Sequence, residues 1–313
     1  MKLRVVGPFE ERMVQQIRVD YPDVAVLTDA RPLDEGLIDV LLAWEANVDD
    51  IVDAVRVHPS LRWVHTNAAG IHPSLIAVLD GQPSVLTNGS GAQASAIAEY
   101  VVAALLALAK RLRELGRLQD RAEWSTNFRV AELRGITVGI IGLGNVGCAI
   151  ARLLRPFGVR LLGIRRRPLP VAEVDVVYAR EDMGQFLSQL DALVIAAPLT
   201  TETQHMIGQP ELARLRPGAV LVNVARGAIV DEGTLVDALR SGHLAGAALD
   251  VFSEEPLPDS SPLWKHPRVI VSPHCCDHTA QTYERGLDLF LDNLRRFVHG
   301  DPLRNVVDRD LGY

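Results

Sequence analysis

An apolar, β-prone run at 136–141 leads directly into Gly142-Leu143-Gly144-Asn145-Val146-Gly147. The residues beyond it (Cys148, Ala149, Ile150, Leu153, Leu154) repeat with helical spacing. Strand, G-x-G-x-x-G and helix in succession is the context in which such a glycine run binds a dinucleotide. Gly142 would allow the tight turn, Gly144 the approach of the backbone to a pyrophosphate, and Gly147 close packing of helix on strand. The N-terminus of the helix, at Asn145 and Val146, would offer N–H groups to the phosphates. The run lies in the middle of 313 residues. A nucleotide fold that starts near residue 136 therefore leaves a long N-terminal segment for a separate task.

Strand and helix signals alternate through the remainder. Residues 3–6, 24–27, 40–44, 63–66 and 85–87 read as short strands, with helices at 9–19 and 48–57 between them. Residues 94–118, rich in Ala and Leu, read as one long bridging helix that supplies core and subunit interface rather than a ligand groove. A second series of strands follows at 137–141, 160–164, 174–178, 192–196, 220–224, 246–251 and 269–272. This alternation predicts the α/β class, with two doubly wound parallel-sheet domains joined by long helices. The expected division is 96–279 for dinucleotide binding and 1–95 with 280–313 for the substrate, a last helix at 280–299 carrying the chain back.

The net charge is −7, from 32 Lys and Arg against 39 Asp and Glu. That balance argues against nucleic acid or an anionic membrane surface as a partner. The longest apolar run, 101–109, is too short to span a bilayer. The N-terminal stretch Met1-Lys2-Leu3-Arg4-Val5-Val6-Gly7-Pro8 reads as a strand and turn rather than a signal peptide. Three cysteines do not make a disulfide framework in a chain of this length. A reducing cytoplasm fits these features.

Ligands of open α/β sheets bind beyond the carboxyl ends of the strands. In the second series those ends carry the glycine turn, Ala197-Pro198, Val224-Ala225-Arg226-Gly227, Asp250-Val251-Phe252 followed by Glu254-Glu255-Pro256, and Pro273-His274. A guanidinium, a carboxylate and an imidazole at neighbouring strand ends suit hydride chemistry on a ketoacid. Arg226 would hold a carboxylate and polarise a carbonyl. His274, beside a carboxylate, would donate a proton to the carbonyl oxygen as hydride arrives.

These stretches carry a specific resemblance. With Pro-Leu-Thr at 198–200, Asn-Val-Ala-Arg-Gly at 223–227, Leu-Asp-Val-Phe at 249–252, Glu-Glu-Pro at 254–256 and Ser-Pro-His at 272–274, the chain resembles the D-2-hydroxyacid dehydrogenase family. Together with the N-terminal unit, the likeness covers essentially the whole chain. It implies a flavodoxin-like substrate domain, a Rossmann dinucleotide domain and a homodimer through the latter. It also implies Arg226 as the substrate-binding arginine, Glu255 as partner of the histidine, His274 as acid/base and Asp250 as a contact for the nicotinamide amide. The Asn67-Ala68-Ala69-Gly70 loop would present backbone N–H groups to the substrate carboxylate. Ala197, Pro198, Val224 and Ala225 would line the cofactor.

Where an NAD-preferring chain places an acid, about 20 residues past the fingerprint, this one reads Ile164-Arg165-Arg166-Arg167-Pro168, and the first acid is Glu173. Arginines there pair with a 2′-phosphate, so NADP is expected, with NAD still possible. His65 and His72 flank the 67–70 loop and are either substrate contacts or, like the other histidines besides His274, surface and loop residues. Trp124 reads equally as interface packing or as a contribution to a partner's site. Cys275 and Cys276 are either two small buried thiols or a redox-sensitive site, and a metal site is not expected. A dinucleotide-sensing, corepressor-like interaction protein is the rival reading. It is disfavoured by the lack of a basic tail, and turnover on glyoxylate, hydroxypyruvate or a similar 2-ketoacid separates the two.

Overall fold

The computed structural model describes residues 1–28 and 37–312. They form two compact units, Met1–Gln93 with Thr279–Tyr313, and Ala94–His278.

The first unit holds β1 (Lys2–Val6), α1 (Glu11–Asp20), β2 (Ala25–Leu27), β3 (Val40–Ala43), α2 (Val48–Val57), β4 (Trp63–Thr66), α3 (Pro73–Val78), β5 (Val85–Asn88) and the C-terminal helix Ala280–His299. Its five strands are parallel, in the order β2-β1-β3-β4-β5. All residues of β3 and β4 are buried, as expected of strands covered on both faces. Alternation sends Leu41, Val64 and Leu86 to the side of Ile51, Val55 and Leu75. Leu42 and Trp63 go to the other side, against Met13, Ile17, Phe290 and Leu294. Thr279 caps the C-terminal helix by accepting the Thr282 N–H at 3.1 Å.

The second unit holds α4 (Ala94–Ala109), α5 (Leu112–Asp120), β6 (Thr137–Ile141), α6 (Asn145–Leu154), β7 (Arg160–Ile164), β8 (Val176–Tyr178), α7 (Met183–Leu187), β9 (Ala192–Ile195), α8 (Gln209–Arg214), β10 (Ala219–Asn223), α9 (Glu232–Ser241), β11 (Leu244–Leu249) and β12 (Val269–Val271). Its seven parallel strands run β12-β11-β10-β9-β6-β7-β8. From β6 the chain first moves outward through β7 and β8, then returns to build the other half from β9. The crevice at such a reversal, beyond the ends of β6 and β9, is where a dinucleotide lies in a doubly wound sheet.

Two local readings need correction. The helical pattern at 94–118 is not one helix: it breaks between α4 and α5, where Arg111 takes a left-handed φ of 52°. The Arg111 guanidinium holds Glu114 and the Arg129 carbonyl and lies over the Phe128 ring. Helix α3 has no counterpart in the sequence reading. It is a short turn started by Pro73 and capped by His72, whose Nδ1 accepts the Ser74 N–H at 3.2 Å.

Candidate active site in the second unit

The three glycines after β6 meet different demands. Gly142 has a φ of +95°, and a Cβ there would stand 2.7 Å from the Ala197 backbone. A Cβ on Gly147 would stand 1.9 Å from the Gly142 carbonyl oxygen. Neither position accepts a side chain. Gly144 is the N-cap of α6, and a Cβ there would meet no atom within 4 Å. It thus faces open space at a helix N-terminus whose first turn lacks intrahelical acceptors. Asn145 and Val146 open α6, exposed and half-buried respectively. Two packed glycines behind one open glycine form a cradle that fits a pyrophosphate.

Beside this turn, the Gly142 N–H donates to the Ile164 carbonyl at 3.0 Å, so the end of β7 adjoins the cradle. Arg165 is half-buried, and Arg166 and Arg167 are exposed. The Arg165 charge acts on Cys148 in the first turn of α6. The side chains of Arg165 and Arg167 make no hydrogen bond or ion pair with any described residue. Glu173, in contrast, is held by Arg152 at 3.1 Å, which with its own backbone N–H lowers its carboxyl below the usual range.

At the end of β10, Asn223 is almost wholly buried. Its Oδ1 accepts the Ala225 N–H at 3.1 Å and its Nδ2 donates to the Arg226 carbonyl at 3.0 Å, which fixes the turn that carries Arg226. Val224 and Ala225 are buried, whereas Arg226 is half-buried. A Cβ on Gly227 would lie 1.8 Å from the Phe252 carbonyl carbon, so this turn rests directly on the chain beyond β11. Ala197 is buried against the glycine turn, and Pro198 is exposed.

The end of β11 and the end of β12 form one assembly. Glu255 accepts the Phe252 N–H at 2.9 Å through Oε1 and His274 Nδ1 at 2.7 Å through Oε2. A carboxylate acceptor at that distance places the ring proton on Nδ1 and leaves Nε2 outside this bond. The two side chains are 43% and 37% exposed, so the pair faces solvent. His274 has a φ of 51°, a conformation that costs a side-chain-bearing residue about 1–2 kcal/mol. Its N–H is held by the Asp250 carbonyl at 2.8 Å. Asp250 itself, expected to face the nicotinamide amide, is fully buried, with its carboxylate turned onto Ser272, Cys275 and Cys276. Cys276 is buried and Cys275 half-buried. Burial first, and the Asp250 charge in addition, push both thiols up and away from the reactive thiolate form.

The 67–70 loop belongs to the first unit and is fixed from several sides. Asn67 donates its N–H to Ala43, accepts the Glu45 N–H on its side chain and accepts Gln93 Nε2 on its carbonyl. Asn88 Nδ2 donates to the Ala69 carbonyl at 2.9 Å, and the Ala68 N–H bonds Thr66 Oγ1. The N–H groups of Ala69 and Gly70 have no acceptor among the described residues. His65 is buried within β4, contrary to its reading as a surface or loop residue, whereas His58 lies in the loop after α2 and is buried there. His65 lies between Trp63 and Phe290, bonded to Thr87, and burial pushes its imidazole down to about 3. It is a neutral core residue.

The model of the D-isomer specific 2-hydroxyacid dehydrogenase NAD binding domain matches residues 102–276. The chain belongs to the D-isomer-specific 2-hydroxyacid dehydrogenase family. The dehydrogenase is 36% identical over 267 residues to a glyoxylate reductase of Aeropyrum pernix, spanning 83% of this chain and 80% of that one. Among solved structures it resembles an NADPH-dependent glyoxylate/hydroxypyruvate reductase from Sinorhizobium meliloti in complex with NADP and sulfate. The TM-score is 0.86 at 27% identity, over 100% of this chain and 99% of the other. A family member from Xanthobacter autotrophicus Py2 in complex with NADPH and MES gives 0.85 at 29% identity, over 100% and 99%. The dehydrogenase is an NAD(P)-dependent enzyme of 2-hydroxyacids with a Rossmann dinucleotide fold. No helix of the described residues is long and apolar enough to cross a membrane, and no group of three or more His, Cys, Asp or Glu among them could hold a metal ion.

Proposed function

We propose that this dehydrogenase reduces a small 2-ketoacid, glyoxylate or hydroxypyruvate, to the matching 2-hydroxyacid with NADPH. The observation that carries the reading is the His274–Glu255 pair, closed at 2.7 Å and facing solvent beyond β12 and β11, with Arg226 beyond β10, the strand next to β11. NADPH supplies the hydride. His274 delivers the proton to the carbonyl oxygen from Nε2, while Glu255 keeps the ring oriented through Nδ1. Arg226 binds the carboxylate and polarises the carbonyl, which stabilises the charge that grows on oxygen. The turn of Asn67, Ala68, Ala69 and Gly70 takes the substrate carboxylate through the N–H groups of Ala69 and Gly70, those of Asn67 and Ala68 being held by Ala43 and Thr66. The curated relatives support the substrate class, since several are glyoxylate reductases.

The cradle of Gly142, Gly144, Asn145, Val146 and Gly147 holds the pyrophosphate, and Ala197, Pro198, Val224 and Ala225 line the cofactor's path. Arg165, Arg166 and Arg167, beyond β7 with no acid among them to hold a 2′-OH, would hold the 2′-phosphate of the cofactor. The NADP-bound solved relatives agree with this preference. A homodimer through the second unit completes the proposal. Helix α5 has no buried residue, Trp124 is 92% exposed, and a cleft of about 460 Å³ opens among α4, Arg129–Leu133 and Ile270. A second copy would cover these apolar surfaces in a reducing cytoplasm.

A panel of 2-ketoacids assayed with NADPH and NADH tests the reading. The expected result is turnover on glyoxylate or hydroxypyruvate with at least a tenfold higher kcat/KM for NADPH, about 1.4 kcal/mol of discrimination. Replacing Arg165 and Arg167 by Ala should erase that preference. A tenfold preference for NADH in the unmodified enzyme contradicts the cofactor assignment, and an inert protein that still binds the dinucleotide favours the sensing role.

A further inference from the structure

Behind the His274–Glu255 pair lies a second polar assembly, wholly inside the second unit. The Asp250 carboxylate accepts Ser272 Oγ at 2.6 Å and the Cys275 N–H at 3.0 Å on one oxygen, and the Cys276 N–H at 3.2 Å on the other. The left-handed residue before these two amides is His274 itself. Successive N–H groups after such a residue form a concave anion nest, and here the chain's own carboxylate fills it. Ser272 Oγ also lies 2.6 Å from the Tyr100 hydroxyl of α4. A serine has one proton and spends it on Asp250, so Tyr100 must be the donor to Ser272. Burial holds that phenol protonated, its pKa pushed up to about 12. The result is a directed chain, Tyr100 to Ser272 to Asp250, ending on the turn that aims the imidazole.

We propose that Tyr100, Ser272 and Asp250 are positioning residues of the reaction: their hydrogen-bonded chain holds the 274–276 turn so that His274 Nδ1 meets Glu255 and Nε2 faces the reacting carbonyl. A strained, half-exposed histidine keeps one orientation only where its surroundings over-determine it. The Asp250 carbonyl and carboxylate together hold the N–H groups of three consecutive residues, 274 to 276. Tyr100 extends the hold to α4, the helix packed on β10 and β11.

The inference rests on His274 being the acid/base, and two readouts keep them separable. The first needs no substrate. With ¹⁵N-labelled imidazoles at a pH where His274 is neutral, and His274→Asn for assignment, the unmodified protein should show the Nδ1–H tautomer. Tyr100→Phe and Ser272→Ala should mix in the Nε2–H tautomer, and Ser272→Thr should restore the original spectrum. The second readout is steady-state kinetics of the same variants. Ser272→Ala should lower kcat by on the order of 10²-fold, the cost of an ångström-scale misplacement. Tyr100→Phe should lower it by about tenfold, the loss of one hydrogen bond. Cofactor Kd and Tm should stay near those of the parent. Should Ser272→Ala fail to fold, Tyr100→Phe against Ser272→Thr decides alone. An unchanged tautomer in Tyr100→Phe, or a kcat within twofold of the parent at equal Tm, overturns the proposal. Lost kcat in His274→Asn alone upholds the acid/base assignment without the chain behind it.

Discussion

Strands β4 and β12 both end in short polar turns, and in each a buried side chain from elsewhere fixes the backbone. After β4 the fixing groups are neutral amides: Asn88 on the Ala69 carbonyl and Gln93 on the Asn67 carbonyl. What they leave on display is backbone, the N–H groups of Ala69 and Gly70. After β12 the fixing group is a carboxylate, Asp250, and what it leaves on display is a side chain, His274 against Glu255. In the proposed function the two turns have different tasks, one a donor surface for an anion and the other a proton shuttle. The difference extends to the histidines. His65 lies within β4, sealed and neutral, whereas His274 lies one turn beyond β12, half exposed and paired. Placement relative to the strand end, more than residue type, separates a core imidazole from one that can work.

This contrast makes graded predictions. Arg226→Ala removes the only proposed group that both binds substrate and polarises the carbonyl, and should cost about 3–4 kcal/mol in kcat/KM, on the order of 10²–10³-fold. Intact turnover would shift the polarising role elsewhere. Asn88→Ala loosens the donor surface alone, so KM for the ketoacid should rise about tenfold with kcat little changed. A fall in kcat at constant KM would mean the β4 turn takes part in the chemical step.

His65→Asn tests the buried side of the comparison by equilibrium unfolding between pH 4 and 7. In the folded chain His65 takes up a proton only near pH 3, whereas in the unfolded chain it does so near its ordinary value of about 6.5. The unfolded state therefore binds more protons in this window. The stability that His65 confers is present above pH 6.5 and is lost as pH falls. Replacing it should flatten the slope of unfolding free energy by about 1 kcal/mol per pH unit. An unchanged slope would mean that His65 titrates normally, and hence that it is reached by water.

Both sheets could be read from sequence because parallel strands under helices on two faces appear as short apolar runs between turn residues. The runs at 63–66 and 137–141 became β4 and β6 with the same bounds. The α4–α5 break escaped notice because the apolar spacing continues across it. What breaks the helix is Arg111, whose guanidinium reaches the Arg129 carbonyl in a later segment. Arg226, Glu255 and His274 drew attention because each stands in a short stretch at a strand end, and the structure brings Glu255 and His274 into contact. The groups that hold them did not. Asn223 and Ser272 sit inside those same stretches but act by pointing inward, and the bond between Tyr100 and Ser272 spans 172 residues of sequence. Periodicity shows that such residues are buried, yet says nothing of which polar group they meet.

The central claim is that the imidazole at the end of β12 carries the proton of a ketoacid reduction. The most direct test measures NADPH-dependent reduction of glyoxylate and hydroxypyruvate by the unmodified enzyme and by His274→Asn, with NADPH affinity determined for both. The account predicts turnover that falls by about 10³-fold or more in the variant, at unchanged NADPH affinity and Tm. Turnover retained within tenfold in a folded, NADPH-binding His274→Asn enzyme would contradict it.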